Sequence, residues 1–197
     1  NGSTPDLLAN SARLAAAVAL VCTAVSLPAA WLTVRTDLPM QRAWSVALAL
    51  PLAIPSYVMG LTVVAALGPR GILQGWLEPL GVQRLPEIYG FGGATLALTA
   101  VSFPYVFLVL RAALRTLDPA EEEAARSLGR GPWASFAAVT LPPIVPALAA
   151  GLLLVVLYVL SDFGGVAMLK YDTFTRAIYL QYSSSFDRSG AAILGVL

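Results

Sequence analysis

Two short segments of this chain carry side chains that could engage a ligand or a partner. The first runs from Asp118 to Pro142 and has three consecutive glutamates, 121–123. The second surrounds Asp162, at the end of an apolar stretch. Carboxylate and phenol oxygens attract hard cations, so this segment could line a pathway; alternatively, Asp162 caps a helix or marks a hinge. The candidate pathway or hinge residues are Asp162, Phe163, Gly164 and Tyr158.

Most catalytic chemistry is excluded by the residue types that the chain lacks. It contains no histidine, the commonest general base and transition-metal ligand. Its one cysteine, Cys22, lies inside an apolar stretch, and its one lysine is Lys170. No glycine-rich phosphate loop ending in Gly-Lys-Ser/Thr is present, so ATP is not expected to bind here. We predict no catalytic residue, no metal site and no cofactor, and we expect the chemistry to come from a partner.

The chain is strongly apolar, and its charges are segregated. Hydrophobic residues make up 58% and charged residues 12% of its 197 residues, whereas charged residues are about 25% of a typical soluble domain. No Asp, Glu, Lys or Arg occurs in 14–34, 43–69, 88–110 or 131–161. Each stretch reaches the roughly 20 apolar residues that a spanning helix requires. Lipid leaves backbone groups unsatisfied outside helices and closed barrels, and barrel strands would alternate, so we predict an all-α polytopic membrane protein.

The charge-free stretches place the membrane spans. We predict four complete spans at about 11–34, 43–67, 88–112 and 143–168. The start of a fifth is predicted at about 188–197. Prolines interrupt the first three spans at Pro28, Pro51, Pro55 and Pro104. Proline breaks helix hydrogen bonds, and membranes tolerate this where neighbouring helices or a cavity satisfy the freed groups. We expect kinks between packed helices, with moving or pore-lining segments as the alternative.

The segment between the third and fourth spans predicts a hairpin of two short helices. Asp118 is a helix N-cap and Pro119 suits the first helical position, while Gly129 supplies a stop. Pro132 begins a second short helix, which Leu141 and Pro142 are expected to end where the chain enters the membrane. Ala124 and Ala125 would present a surface with almost no side chain, which suits insertion into a groove on a partner.

The order of residues in this hairpin resembles the EAA loop of permease subunits in type I binding-protein-dependent ABC importers. The matching positions are Glu123, Ala124, Ala125, Gly129, Phe136, Leu141 and Pro142. The resemblance implies a MetI-like helical core and a cytoplasmic loop, 118–142, that docks on a dimer of ATPase subunits. The arginines and the lysine divide evenly between the two sides of the membrane, so charge leaves the orientation of the chain open. The cytoplasmic loop that the resemblance implies decides this orientation. The implied coupling residues are Glu122, Glu123, Ala124, Ala125, Leu128, Gly129, Phe136, Leu141 and Pro142.

A second resemblance concerns the cargo. The segments 160–165 (LSDFGG), 171–182 (YDTFTRAIYLQY) and 186–192 (FDRSGAA) are similar to ferric-iron permeases. Such permeases are often fused pairs of halves, so the chain would be one transmembrane domain, 1–197, incomplete at both ends. The resemblance implies ferric iron as cargo, with thiamine, phosphonate, sulfate or a polyamine as alternatives. It also implies a second permease half, fused or separate, an external substrate-binding protein, and a place in the bacterial plasma (inner) membrane.

Two other classes of protein fit the sequence less well. A secondary transporter would need ionisable groups at mid-membrane, and the four charge-free stretches have none. An intramembrane enzyme would need catalytic groups that are equally missing. The lipid bilayer is an expected partner, and nucleic acid is not. We therefore predict a non-catalytic permease subunit that provides a path for a small substrate.

Overall fold

The computed structural model describes residues 4–69, 71–78 and 86–184, and the predicted start of a fifth span at 188–197 lies outside these ranges. The described residues form helices and short connections, without a strand. In chain order the α-helices are α1 (Thr4–Arg35), α2 (Gln41–Ala49), α3 (Ser56–Leu67), α4 (Ile72–Leu77), α5 (Phe91–Thr116), α6 (Pro119–Ser127), α7 (Pro132–Ser135), α8 (Leu141–Ser161), α9 (Gly164–Met168) and α10 (Phe174–Ser184). The predicted all-α class is confirmed.

Within the described ranges, four helical stretches are long and apolar enough to cross a membrane. They are Thr4–Arg35, Ser56–Leu77, Phe91–Thr116 and Pro132–Ser161. The second of these passes over residue 70, which lies outside the described ranges. The number of apolar crossings therefore equals the number that the charge-free stretches predict, although the bounds of the second differ.

The segment predicted as the second span, 43–67, is not one helix. Helix α2 ends at Ala49, a 3-10 turn follows at Leu50–Ala53, and α3 begins after Pro55, whose backbone is extended. Each proline removes an N–H donor, clashes with the preceding turn and disfavours a helical residue before it. Pro51 follows the C-cap residue Leu50 of α2, and Pro55 is the N-cap residue of α3, so the two prolines mark the two ends of the interruption.

One proline beyond the first turn leaves each of the other long helices continuous, and α8 also carries Pro142 and Pro143 in its first turn. Pro28 lies inside α1, Pro104 inside α5 and Pro146 inside α8. The Ser26 hydroxyl of α1 donates to the Phe103 carbonyl of α5 at 2.8 Å. Polar bonds of this kind hold helices together in lipid, where apolar burial gives no preference for protein over acyl chains.

One compact unit comprises the described residues of 1–18, 54–101 and 156–197. Helices α3 and α9 pack closely in it, because their glycines have no side chain to separate them. A Cβ added at Gly60 would lie 3.1 Å from the Met168 Cβ, and one at Gly164 would lie 2.9 Å from the Tyr57 Cβ. The start of α10 is joined to α1, since the Phe174 N–H donates to the Ser11 hydroxyl at 3.0 Å.

A second compact unit comprises residues 19–53 and 102–155. Its core consists of fully buried side chains of α5 and α8, among them Phe107, Leu110, Leu114 and Ile144. The two helices approach closely at Gly151, where an added Cβ would lie 3.1 Å from the Val106 Cα. Cys22 is fully buried in this unit beside Ser102, with its sulfur 3.5 Å from the Ser102 hydroxyl oxygen.

Candidate functional site

The hairpin begins at a capped helix terminus. The Asp118 carboxylate accepts a hydrogen bond from the Ala120 N–H at 2.9 Å, and Pro119 occupies the first helical position of α6. Glu121 and Glu122 follow in the first turn, where the helix dipole favours negative charge. The predicted start of the first short helix is confirmed.

Helix α6 ends in a glycine turn. Gly129 has a φ of +86°, and the Arg130 N–H reaches back to the Ala125 carbonyl at 3.3 Å while the Gly129 N–H donates to that of Arg126 at 2.9 Å. This is a Schellman arrangement, which favours glycine because a Cβ disfavours positive φ. An added Cβ at Gly129 would meet no atom within 4 Å. Within this chain, glycine is therefore required by the backbone conformation and not by crowding.

The second arm of the hairpin differs from the sequence prediction. Helix α7 runs into a π-turn at Phe136–Thr140, and α8 follows directly at Leu141. The predicted break at Leu141 and Pro142 was wrong, because Pro132–Ser161 forms one helical stretch of 30 residues. Proline is tolerated in the first turn of a helix, and the π-turn provides the change of register that lets α8 start there. The loop is thus rigidly continuous with the fourth span.

A buried carboxylate joins the two arms. Glu122 is 7% exposed. One of its carboxylate oxygens accepts from Arg126 at 2.6 Å, and the other accepts from the Thr140 hydroxyl at 3.0 Å. Thr140 is 2% exposed. Glu122 was predicted as a coupling residue, and the structure places it inside the hairpin, where it fastens α6 to the π-turn.

The outer face of the hairpin is small and apolar at its tip. Glu123, Ala124 and Gly129 are exposed, and Leu128 is 86% exposed. Ala125 is half-buried, so the flat surface predicted from the two alanines is formed mainly by Ala124. Of the remaining predicted coupling residues, Phe136 and Leu141 are half-buried and Pro142 is exposed.

Trp133, Arg126 and Thr140 are not among the predicted coupling residues, although the structure gives each a place in the hairpin surface or its brace. Trp133 is 83% exposed and, with Leu27, Pro28, Trp31, Leu32, Pro132 and Phe136, lines an apolar groove of about 420 Å³. Exposed aromatic side chains of this size are typical of interaction surfaces. The position of Trp133 beside Pro132 in a loop was a usable signal, and the i,i+4 spacing to Glu122 was one for Arg126. Nothing in the sequence pairs Thr140 with a residue 18 positions earlier.

The base of the hairpin is tied to α1. The Arg35 guanidinium, at the end of α1, donates to the Leu117 carbonyl at 3.2 Å. Trp31, Arg35, Pro119, Glu122, Glu123 and Arg126 line a small cavity of about 160 Å³ at this junction. Since α7 continues into α8 and α6 follows α5, a force on the hairpin would reach three long helices.

The other predicted residues lie in the first compact unit. Asp162 is 8% exposed and occupies the break between α8 and α9, where its carboxylate accepts from the Gly165 N–H at 2.9 Å. The Phe163 ring packs on Tyr179 with centroids 4.2 Å apart. Gly164 packs on α3, and the Tyr158 carbonyl accepts from the Ser161 hydroxyl at 2.9 Å. The Asp162 carboxylate therefore acts as a local cap at a helix break.

No metal cluster accompanies this cap in the part of the chain that the structure describes. No three His, Cys, Asp or Glu side chains lie close enough there to hold an ion together. Hard cations in proteins are held by several oxygen ligands at once. A single capped carboxylate does not supply such a set.

The fold resembles solved structures of ABC transporters. A bacterial ABC transporter that imports the acidic polysaccharide alginate matches with a TM-score of 0.75 at 19% identity, over 96% of this chain and 71% of that one. The MetNI methionine ABC transporter matches with a TM-score of 0.65 at 18% identity, over 99% and 90%. The fold is the transmembrane-domain fold of type I ABC importers.

The sequence comparison identifies the family. The model of the binding-protein-dependent transport system inner membrane component matches residues 23–197, and the chain belongs to this family. It is a multi-pass protein of the plasma (inner) membrane. The resemblance to permease subunits of type I ABC importers is thereby confirmed.

Relatives in this family are named for different cargoes. The chain is 32% identical to a probable sulfate transport system permease protein of Nephroselmis olivacea, over 85% of this chain and 60% of that one. It is also 32% identical to an Fe(3+)-transport system permease protein of Haemophilus influenzae, over 98% and 34%, and to the molybdenum transport system permease protein of Escherichia coli, over 85% and 75%. The chain thus spans 60% and about a third of the first two relatives.

Proposed function

We propose that this chain is a permease subunit, or one half of one, in an ABC importer, and that its hairpin receives the movement of a cytoplasmic ATPase dimer. The observation that carries the proposal is the tip formed by Ala124, Leu128 and Gly129. Leu128 is 86% exposed beside a residue of minimal size. An exposed leucine next to a flat alanine surface suits a cleft on a partner protein.

The hairpin is built to transmit a push or a pull. The hydrogen bond from Thr140 to Glu122 fastens the π-turn to α6, so we expect the two arms to move together. The second arm continues into the fourth span without a break. A displacement of the tip is therefore carried into α8, and through Arg35 and Leu117 it is also felt at the end of α1. Alternating access then follows from rocking of the spans.

Energy and substrate capture belong to other subunits in this proposal. The chain has neither a histidine nor a phosphate loop, so ATP is hydrolysed by the ATPase subunit and no cofactor is held here. An external binding protein delivers the substrate. A second permease half, fused or separate, completes the pathway in this proposal, and the resemblance to the fused ferric-iron permeases supports it.

A charged substitution at the tip tests the coupling. Ala124→Glu adds bulk and charge to the exposed tip without touching the Glu122 brace, and we expect substrate uptake to fall to background while the protein still inserts. ATP hydrolysis should no longer respond to the loaded binding protein. The matched control is Ala9→Glu, which adds the same group at an exposed alanine of α1 outside the hairpin and before the charge-free stretch 14–34. Full uptake by the Ala124→Glu importer would overturn the proposal.

For the substrate we propose ferric iron delivered by its binding protein. The similarity to the Fe(3+)-transport relative extends over 98% of the chain, including the segments after Leu160. Sulfate is the second candidate, favoured by the Nephroselmis relative at equal identity. Because Asp162 is already engaged as a cap, selectivity would come from the binding protein and not from this carboxylate.

The substrate is tested by uptake into vesicles that contain the complete importer and its binding protein. Radioactive ferric iron, sulfate and molybdate are supplied separately, each with ATP inside the vesicle. Accumulation of iron alone supports the first candidate, and accumulation of sulfate alone replaces it with the second. The Ala124→Glu importer serves as the background in each case.

A further inference from the structure

An open groove lies in the second compact unit between α2, the 3-10 turn and α5. Its volume is about 840 Å³. Val46, Ala49, Leu50, Leu52, Ala53 and Leu108 make most of its wall apolar. The 3-10 turn that follows the end of α2 at Ala49 forms part of the groove wall.

Three arginines line the same groove, and none of the described residues that line it is an acid. They are Arg42 at the start of α2 and Arg111 and Arg115 on the last turns of α5. Arg111 and Arg115 are one helical turn apart, where like charges repel. Among the residues that the structure describes, none of the three forms an ion pair, and the buried Arg111 Nε has no hydrogen-bond partner. The groove therefore carries unbalanced positive charge at a place where an anion would be stabilised.

We propose that this groove binds an anionic phospholipid. The phosphate would lie among Arg42, Arg111 and Arg115, and an acyl chain would follow the apolar wall formed by Val46, Leu50 and Leu108. A free inorganic anion would fit the arginines but would leave that wall exposed to water or lipid. Basic pockets between membrane helices are known sites for acidic lipid headgroups. The amphiphile matches both halves of the groove.

The bound lipid would serve as a wedge for the broken segment. It would occupy the space that the break at Leu50–Ala53 leaves, and it would hold α2 against α5 through its phosphate. Only the choice of leaflet depends on the proposed function: if the hairpin that follows α5 is cytoplasmic, the groove opens to the inner leaflet. Lipid binding itself does not depend on transport.

The test is native mass spectrometry of the purified complete importer in detergent, titrated with dioleoylphosphatidylglycerol or, as the neutral comparison, dioleoylphosphatidylcholine. We expect a saturable site for the anionic lipid. Replacing both arginines of α5 (Arg111→Gln, Arg115→Gln) should weaken it roughly 25-fold, since each interfacial arginine contributes about fivefold. Arg13→Gln, which removes an arginine outside the groove, should leave the affinity unchanged.

Two further variants keep the test decisive if the double glutamine variant does not fold. The double lysine variant (Arg111→Lys, Arg115→Lys) should retain binding within about threefold, because the charge remains. Ala49→Trp fills the apolar wall and should weaken lipid binding while all three arginines stay in place. Equal affinity for the two lipids would overturn the proposal. It would also be overturned if Ala49→Trp had no effect and sodium sulfate or phosphate displaced the lipid, because the site would then bind a free anion.

Discussion

Two buried acids in this molecule, Glu122 in the hairpin and Asp162 at the end of α8, have the same local role in different surroundings. Each accepts a hydrogen bond that bridges a break in helical structure: Glu122 from the Thr140 hydroxyl, and Asp162 from the Gly165 N–H. Around Glu122 the structure exposes Leu128 and Trp133. Around Asp162 the neighbouring Phe163 ring packs on Tyr179 instead.

Both buried acids stabilise the fold, and only the hairpin acid lies beside residues that are exposed for contact with a partner. In an apolar chain an acid attracts attention as a functional group, yet both acids here are engaged within the fold. The hairpin differs because its brace holds an apolar tip in the open, and the Asp162 turn holds only its own helices. We infer that the exposed residues beside Glu122, such as Leu128, make the proposed contact with the partner, and that the Glu122 carboxylate supports them.

The largest effect is expected from removing the hairpin brace. Glu122→Ala leaves the buried Thr140 hydroxyl without an acceptor, which costs about 1–3 kcal/mol. The ion pair adds little, since the Arg126 side chain is 46% exposed and such pairs contribute about 0–1 kcal/mol. We expect α6 to detach from the π-turn, which limited proteolysis of the hairpin would detect, and uptake to fall with it.

Glu122→Gln is the matched control for the brace. Glutamine keeps an acceptor for Thr140 and loses only the charge, so protease resistance should change far less than in Glu122→Ala. Glu121→Ala, which removes an exposed charge from the first turn of α6 and leaves the bond to Thr140 intact, should have a much smaller effect. If Glu122→Gln were as damaging as Glu122→Ala, the negative charge, and not the bond to Thr140, would hold the arms together.

An intermediate effect is expected at the end of α6. Gly129→Val places a β-branched residue at a φ of +86°, a conformation that costs a residue with a Cβ about 1–2 kcal/mol. Hydrogen exchange at Arg130, whose N–H closes the glycine turn, should accelerate. Gly129→Asn should be tolerated better, because asparagine adopts left-handed conformations more readily. Equal exchange in the two variants would show that the turn does not depend on backbone conformation.

The smallest effect is expected at Asp162. Asp162→Asn retains an oxygen that can accept from the Gly165 N–H, so stability and uptake should be nearly unchanged. Asp162→Ala removes the cap and should cost about 1 kcal/mol, the usual cost of losing such a bond. Thermal unfolding and cation uptake of both variants check this. Abolished uptake in Asp162→Asn, with stability unchanged, would instead make this acid a pathway residue.

The sequence predicts the parts of the hairpin that depend on local chemistry. Asp118 and Gly129 fix the ends of α6 through a side-chain cap and a backbone conformation, and both are readable from residue type. The bond between Glu122 and Thr140 depends on how two arms fold together, and no spacing rule reveals it. The same limit explains the wrong break at Leu141 and Pro142, because the π-turn that lets α8 start there has no signature in the residues.

The membrane spans, like the hairpin, have features that the sequence predicts and features that depend on how the chain folds. Charge-free length predicts the four apolar crossings, since lipid demands it. Residue type alone does not predict whether a proline interrupts a helix. Pro104 lies within a continuous α5, whereas the helical structure is interrupted around Pro51 and Pro55. The groove with Arg111 and Arg115 depends on how α2 and the 3-10 turn pack beside α5, so the sequence did not predict it.

The most direct test of the coupling account is site-specific photo-cross-linking in the complete importer. A photoreactive amino acid at Leu128 should capture the ATPase subunit, and the same probe at Tyr179, beside the Asp162 turn, should not. If the probe at Tyr179 cross-linked the ATPase and the probe at Leu128 did not, the result would contradict the account. The hairpin tip would then not be the surface that contacts the ATPase.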